Sequence, residues 1–258
     1  MDIISECNLN EITNVKNFIR DYWSQDHIFV KNKSLINFQH KSKKKYNFII
    51  SKNNQGEITS ILGYIPTKKF DNNLDSKNDI WLAIWKVNEY KASKGVGFFL
   101  LKYLEKIFSP NSIGAIGINP NVARIYKLLG YKVDYLNQYY KLNNSRNASK
   151  IIKVIKSNKK FINRSKKKSF IKDIVLDNVN KDLFKTKPQK SISYIINRYI
   201  QHPIYNYKVK GIFSDDTLIA LIVFRVVEIN NSACIRIVDL IGYYKKIYSI
   251  SDSLDVLL

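Results

Sequence analysis

One run of the chain, residues 81 to 142, limits the possible folds more than any other feature. Trp81-Leu82-Ala83-Ile84-Trp85-Lys86-Val87 is almost continuously apolar, the pattern of a strand covered on both faces. Lys94-Gly95-Val96-Gly97 interrupts it, and Phe98 to Phe108 resumes it as a helix. A second strand, Ile113 to Ile118, leads into Asn119-Pro120 and a helix from Asn121 to Leu129. Closing strands are expected after Gly130, at 131–135 and 139–142. Strands alternating with helices predict an α/β protein with parallel neighbours in a mixed central sheet flanked by helices.

The glycine pair carries the first hint of chemistry. Two glycines between a buried strand and an apolar helix let the main chain approach a ligand closely. Several N–H groups then converge on an anion at the helix N-terminus. Such a turn also occurs simply to join strand to helix. Gly114 and Gly117 sit in the second strand, where a missing side chain suggests close approach of another backbone or a ligand.

Upstream, Ile12, Val15, Phe18 and Ile19 fall on one helical face. The segment from Asp21 to Phe29 follows with Trp23, His27 and Phe29, residues that either cap the core or form the wall of an acceptor pocket. Lys41 to Lys45 is a basic turn and Tyr46 to Ile50 a strand. Asn53-Asn54-Gln55-Gly56 is a hairpin turn, Glu57 to Ile65 the returning strand, and Lys69 to Asn78 a polar loop. An antiparallel meander therefore delivers the chain to the strand beginning at Ile80.

Composition narrows the partners. The formal net charge of +22 admits nucleic acid. The chain is rich in Lys, Asn and Ile together, however, as a drift toward AT-rich codons would give. No base-reading module is visible, so nucleic acid is not the expected partner. Two cysteines, Cys7 and Cys234, make no disulfide framework, which suits a reducing cytoplasm. His27, His40 and His202 are scattered, and no zinc or iron ligand set appears. No segment reads as a membrane span or a signal peptide.

After Leu142 the composition turns to linker, then to a basic segment from Lys150 to Lys172 with lysines near helical spacing. Residues 190 to 258 repeat the first half weakly. Tyr199-Ile200-Gln201-His202-Pro203-Ile204-Tyr205 is similar in pattern to Tyr22 through Phe29, and two strands around Asp215-Asp216 match the first meander. Ile235 to Leu240 matches the strand ending at Val87, but no Gly-x-Gly helix follows Gly242. Three parts are expected: 1–142, a basic linker or helical segment over 143–189, and a partial second unit over 190–258.

Val87, the run Ala92-Ser93-Lys94-Gly95-Val96-Gly97, and later Asn119, Tyr126 and Gly130-Tyr131 resemble the two signature segments of the GNAT acyltransferase superfamily, in order and spacing. The family usually has Arg or Gln where Ala92 stands. The resemblance implies a GNAT-like mixed sheet, followed by a partial, degenerate GNAT-like unit without a cofactor site. It implies acetyl-CoA or another acyl-CoA as co-substrate, held by Trp85, Val87, Ala92, Ser93, Lys94, Gly95, Val96, Gly97, Phe98, Asn119 and Tyr126. Two strands would part near Val87 and Asn119, exposing main chain to pantetheine. Lys91 or Lys94 would supply charge. Tyr126 would donate to the leaving thiolate, with Glu89, His27 and Asp134 as candidate bases.

The expected reaction is acyl transfer to a primary amine. The specific acceptor implied is an amino sugar on a nucleotide carrier for surface polysaccharide, from similarity to twin-GNAT proteins. Acylation of a protein or peptide amine stays open. So does a non-catalytic basic nucleic-acid binder that uses Lys41 to Lys45 and Lys150 to Lys172. Oligomeric state is open.

Overall fold

The computed structural model describes residues 2–74, 79–137, 139–141, 151, 168–185, 187–248, 250, 253–254 and 257. Just over half of the expected linker, including seven of its twelve lysines, lies outside the described residues. The chain forms two compact units. The first comprises Met1–Gly117, Lys187–Asn197 and His202–Ile204; the second comprises Ile118–Thr186, Arg198–Gln201 and Tyr205–Leu258. The sequence reading drew its boundaries at 142 and 189.

In the first unit, strand β1 (Ile3–Asn8) is followed by helices α1 (Ile12–Tyr22), α2 (Ile28–Lys31) and α3 (Lys33–His40). Strands β2 (Lys45–Lys52), β3 (Ile58–Pro66) and β4 (Asp79–Val87) come next, then helix α4 (Val96–Phe108) and strand β5 (Ser112–Ala115). Sheet order is β1-β2-β3-β4-β5, antiparallel except for the parallel β4–β5 pair. The mixed α/β class expected from the sequence is the one observed.

The meander's alternation buries two faces. Phe48, Ile50, Ile61 and Ile84 pack with Val15, Phe18 and Ile19 of α1 and with Leu35 and Ile36 of α3. Helix α4 packs against β1 to β4, with Val96, Leu100, Leu101 and Leu104 buried. Helix α3 was not foreseen; Asn32, whose Oδ1 accepts the Leu35 N–H (2.9 Å), caps it.

The base of the parallel pair is pinned by a buried carboxylate. Asp79 Oδ1 accepts from the Ser112 hydroxyl (2.6 Å) and Oδ2 from the Gln189 N–H (2.9 Å). Nearby, the Ser191 hydroxyl donates to Asp71 (2.5 Å) and Asn197 Nδ2 to the Phe70 carbonyl (2.7 Å). Residues 187 to 197 thus return to the first unit to satisfy polar groups that the loop 67–74 buries.

The second unit holds helix α5 (Pro120–Leu128) and strands β6 (Phe170–Lys172), β7 (Lys208–Ser214), β8 (Thr217–Ile229) and β9 (Ser232–Gly242). All four strands are antiparallel, in the order β6-β7-β8-β9. Its hairpins turn at Asp215-Asp216 and Asn230-Asn231, all four with positive φ. Asp and Asn tolerate that conformation better than most residues. Ile212, Ile219, Ala220, Ile222 and Phe224 form its core.

Three expectations are corrected. The closing strands expected at 131–135 and 139–142 are not found: residues 131–137 and 139–141 have no regular structure and are mostly exposed, and position 142 lies outside the described residues. The second strand ends at Ala115 rather than Ile118, because Gly117 turns the chain with φ +73°. The basic segment, expected as a solvated helix face or linker, lies mostly outside the described residues, and its last three residues form an edge strand, β6.

Candidate functional site

The open edge of β4 is the centre of the site. Strand β4 pairs with β5 at four positions only, Asp79 with Ser112 through Leu82 with Ala115. Beyond Leu82, residues Ile84 to Val87 stay paired with β3 on one side, and on the other side Ala83 to Val87 have no strand partner among the described residues. The parting has a local cause. Gly63 of β3 faces Ile84 and Tyr64 faces Leu82, leaving Ala83 as an extra bulged residue. A bulge bends its strand and increases local twist, carrying β4 away from β5 where pairing stops.

The expectation of a strand covered on both faces is therefore corrected. Ala83 is exposed, and Trp85, Lys86 and Val87 are half-buried. Unpaired main-chain donors and acceptors on such an edge can pair with an extended ligand, as an added strand would.

The turn after β4 is tightly built. The Asn88 N–H donates to the Thr59 carbonyl (2.9 Å), and its own carbonyl accepts from Ala92 (2.9 Å). Its side-chain Oδ1 accepts from the Tyr90 N–H (3.1 Å). Asp2 closes the turn from the other end of the sequence. Its carboxylate accepts from the Ser93 N–H (3.2 Å), the Ser93 hydroxyl (3.0 Å) and the Thr59 hydroxyl (2.7 Å).

Two glycines then do different jobs. Gly95 takes φ +78°, a left-handed conformation that costs other residues about 1–2 kcal/mol, and opens α4. Gly97 lets the helix lie close on the strand: a Cβ there would meet Val87 Cγ2 at 3.2 Å and Trp85 Nε1 at 3.4 Å.

Of the seven amides from Ala92 to Phe98, three are spent internally. Ala92 donates to Asn88, Ser93 to Asp2, and Val96 to the Ser93 carbonyl (3.1 Å). The N–H groups of Lys94, Gly95, Gly97 and Phe98 donate to no group among the described residues. They sit at the positive end of a 13-residue helix, the geometry that attracts an anion. Lys94 is exposed beside them. Lys91 is turned elsewhere, toward Glu57 (3.2 Å), so it is not the charge at this end.

The other sequence candidates fall in different places. His27 Nδ1 accepts the Phe29 N–H (3.2 Å), capping α2. An N–H can only donate, so Nδ1 offers its lone pair and neutral His27 carries its proton on Nε2. Burial holds its pKa below the ordinary value. The ring lies between Trp23 (5.7 Å) and Phe29 (5.1 Å), and Phe29 is core. The structure gives His27 a capping role, with no lone pair left for a base. Glu89 is exposed in the turn.

Asn119 and Tyr126 belong to the second unit. Asn119 caps α5 through the Asn121 N–H (2.9 Å). Tyr126 is buried edge-to-face on Tyr131 (5.5 Å), and burial raises its pKa to about 12, so the phenol keeps its proton at neutral pH. Asp134, exposed, accepts from the Tyr135 N–H (2.7 Å).

Sequence reasoning missed Asp2, Thr59 and the Ala83 bulge. Asp2 is 91 residues from Ser93 and carries no local signal. Asn88, directly after a strand, was legible as a turn former. A separate open groove of about 380 Å³ runs between α1 and the β2–β3 hairpin, lined by Asn17, Asp21, Tyr22, Glu57 and Lys91. No helix among the described residues is long and apolar enough to cross a membrane.

No family model matches the chain, and no curated protein matches its sequence. Solved structures that resemble it include the aminoglycoside acetyltransferase AAC(6')-Iy in complex with a bisubstrate analogue (12% identity, TM-score 0.41, 55% of this chain and 99% of that one). A putative acetyltransferase from Pyrococcus furiosus matches at 19% identity and TM-score 0.41, over 55% of this chain and 100% of that one. Glucosamine-6-phosphate N-acetyltransferase from Arabidopsis thaliana matches at 13% identity and TM-score 0.38, over 55% and 99%.

Proposed function

We propose that the chain is an N-acyltransferase that moves an acetyl or related acyl group from acyl-CoA to a primary amine. One observation carries the reading: among the described residues β4 has an open edge from Ala83 to Val87, leading directly into a turn with four unengaged amides. Acyl-CoA has the matching shape, a chain of amides ending in a pyrophosphate. The pantetheine amides would pair with the β4 edge, and the amides of Lys94, Gly95, Gly97 and Phe98 would hold the pyrophosphate. A main-chain N–H near Val87 would polarise the thioester carbonyl and stabilise the tetrahedral oxyanion.

With His27 committed to its cap, Glu89 or a water relay would take the proton from the attacking amine. The donor role that the resemblance gives Tyr126 is kept within this proposal; Tyr126→Phe should lower turnover more than acyl-CoA affinity. For the acceptor, the reading is an amino sugar on a nucleotide carrier. It is supported by the likeness of the aromatic-rich N-terminal segment, of Ala83-Ile84-Trp85-Lys86-Val87, of Gly117-Ile118-Asn119-Pro120 and of the degenerate second half to proteins of that kind.

Titration calorimetry with acetyl-CoA and CoA tests the site, and CoA release over a panel of amino-sugar nucleotides, free amino sugars, peptides and lysine tests the acceptor. Acyl-CoA binding with turnover on a sugar amine is expected. Binding without turnover on any amine would remove the catalytic claim, and no binding would remove the site.

A further inference from the structure

One face of the β8–β9 hairpin concentrates cations and rings with no part in the acyl-transfer reading. Arg225 and Arg236 are direct cross-strand partners, so their side chains leave the same face of the antiparallel pair. Among the described residues no carboxylate forms an ion pair with either. Like charges directly opposite one another disfavour the pairing. Arg225 lies over the Tyr205 ring at 4.0 Å, which fixes its planar fork. Tyr205 meets Tyr207 edge-on at 6.0 Å, and Tyr207 meets Tyr199 at 5.4 Å.

Tyr199 in turn donates to Asp239 (2.7 Å), the one carboxylate of this cluster, whose other oxygen accepts from the Leu240 N–H (2.9 Å). Both Asp239 oxygens are therefore engaged. Burial raises the Tyr207 pKa, while the charges of Arg198, Arg225 and Arg236 act to lower it. Arg236 is exposed and Arg225 half-exposed, leaving the cluster open to solvent.

We propose that Arg225 and Arg236, backed by Tyr205 and Tyr207, form a binding site on the second unit for a diphosphate group. A diphosphate spreads negative charge over several oxygens and can accept paired N–H bonds from each guanidinium fork at once. Occupancy would also relieve the repulsion between the two arginines. The diphosphate could be free or carried by a nucleoside. The tyrosine faces would add affinity only for the nucleoside form, by stacking on the base. A strand of RNA is the less favoured partner, because the two arginines stand opposite one another at a single cross-strand position rather than spaced along a backbone. The inference is independent of the acyl-transfer reading.

The 258-residue chain is titrated calorimetrically with inorganic pyrophosphate and with uridine diphosphate, at low and high salt. Saturable binding that weakens with salt is expected, about tenfold tighter for the nucleoside form if the rings contribute. Arg236→Gln, an exposed change checked by an unchanged melting temperature, should weaken both about tenfold or more. Arg225→Lys should weaken binding although it keeps the charge. Gly97→Val, which disturbs only the first unit, should leave it unchanged. The proposal is overturned if Arg236→Gln has no effect, if Gly97→Val abolishes binding, or if a single-stranded RNA binds while neither diphosphate does.

Discussion

The two units begin alike and end differently. Each sets four antiparallel strands in sequence order, β1 to β4 in one and β6 to β9 in the other. In the first, β4 has a bulge at Ala83, loses its β5 partner after Leu82 and runs through a glycine turn into α4. In the second, β8 and β9 stay paired from Ala220–Gly242 to Ile229–Ser232, across one irregularity. The β8–β9 pair stays zipped along its length, so no gap opens between two neighbouring strands there. A parallel neighbour must arrive by a crossover, here helix α4, and that crossover brings a helix N-terminus to the strand's end. On the proposed function, this difference would let one meander serve a thioester carrier and leave the other free for a different ligand.

The largest effect should come from closing the approach of α4 to β4. Gly97→Val would drive side-chain carbons into Val87 and Trp85. Overpacking of this kind costs about 1–3 kcal/mol, so acetyl-CoA affinity should fall on the order of 10- to 100-fold by calorimetry. Unchanged affinity would detach the glycine turn from the site.

The Asp2 latch should come next. Asp2→Ala frees the Ser93 amide and loosens the turn, raising the KM for acyl-CoA about tenfold with a smaller change in kcat. Ser93→Ala combined with it should give less than additive loss, since both remove the same contact. Full additivity would show that the latch does not act as a unit.

Hydrogen exchange compares the units directly. Amides from Ala83 to Val87 should gain protection on addition of CoA, while those of β8 and β9 should not change. Protection gained equally in both units would break the contrast.

The smallest effect concerns His27. Its pKa is depressed in the folded state, so the unfolded chain binds a proton more readily. Stability is full above the ordinary value of 6.5 and is lost as pH falls below it. His27→Asn should keep the cap and flatten that slope in denaturation curves between pH 7 and 5. His27→Ala should cost about 1 kcal/mol at pH 7. A His27→Asn variant with the same slope would mean that another group titrates.

Much of the first unit was legible because its signals are local. Apolar periodicity fixed α1, β2, β3, β4 and α4, and Asn53 to Gly56 marked a hairpin by positive-φ tolerance. The strands after Gly130 were expected from pattern alone and are not found among the described residues, because a strand needs a neighbour that periodicity does not name.

What the sequence determined by itself was the order of elements and the glycine turn, since both depend on side-chain period and backbone freedom within a few residues. Only the tertiary structure decided where β4 and β5 part, which amides remain to bind an anion, that Asp2 holds the turn, and that His27 is a cap. Those depend on which distant groups satisfy each other's hydrogen bonds, and a buried donor is taken or left by partners that sequence distance conceals.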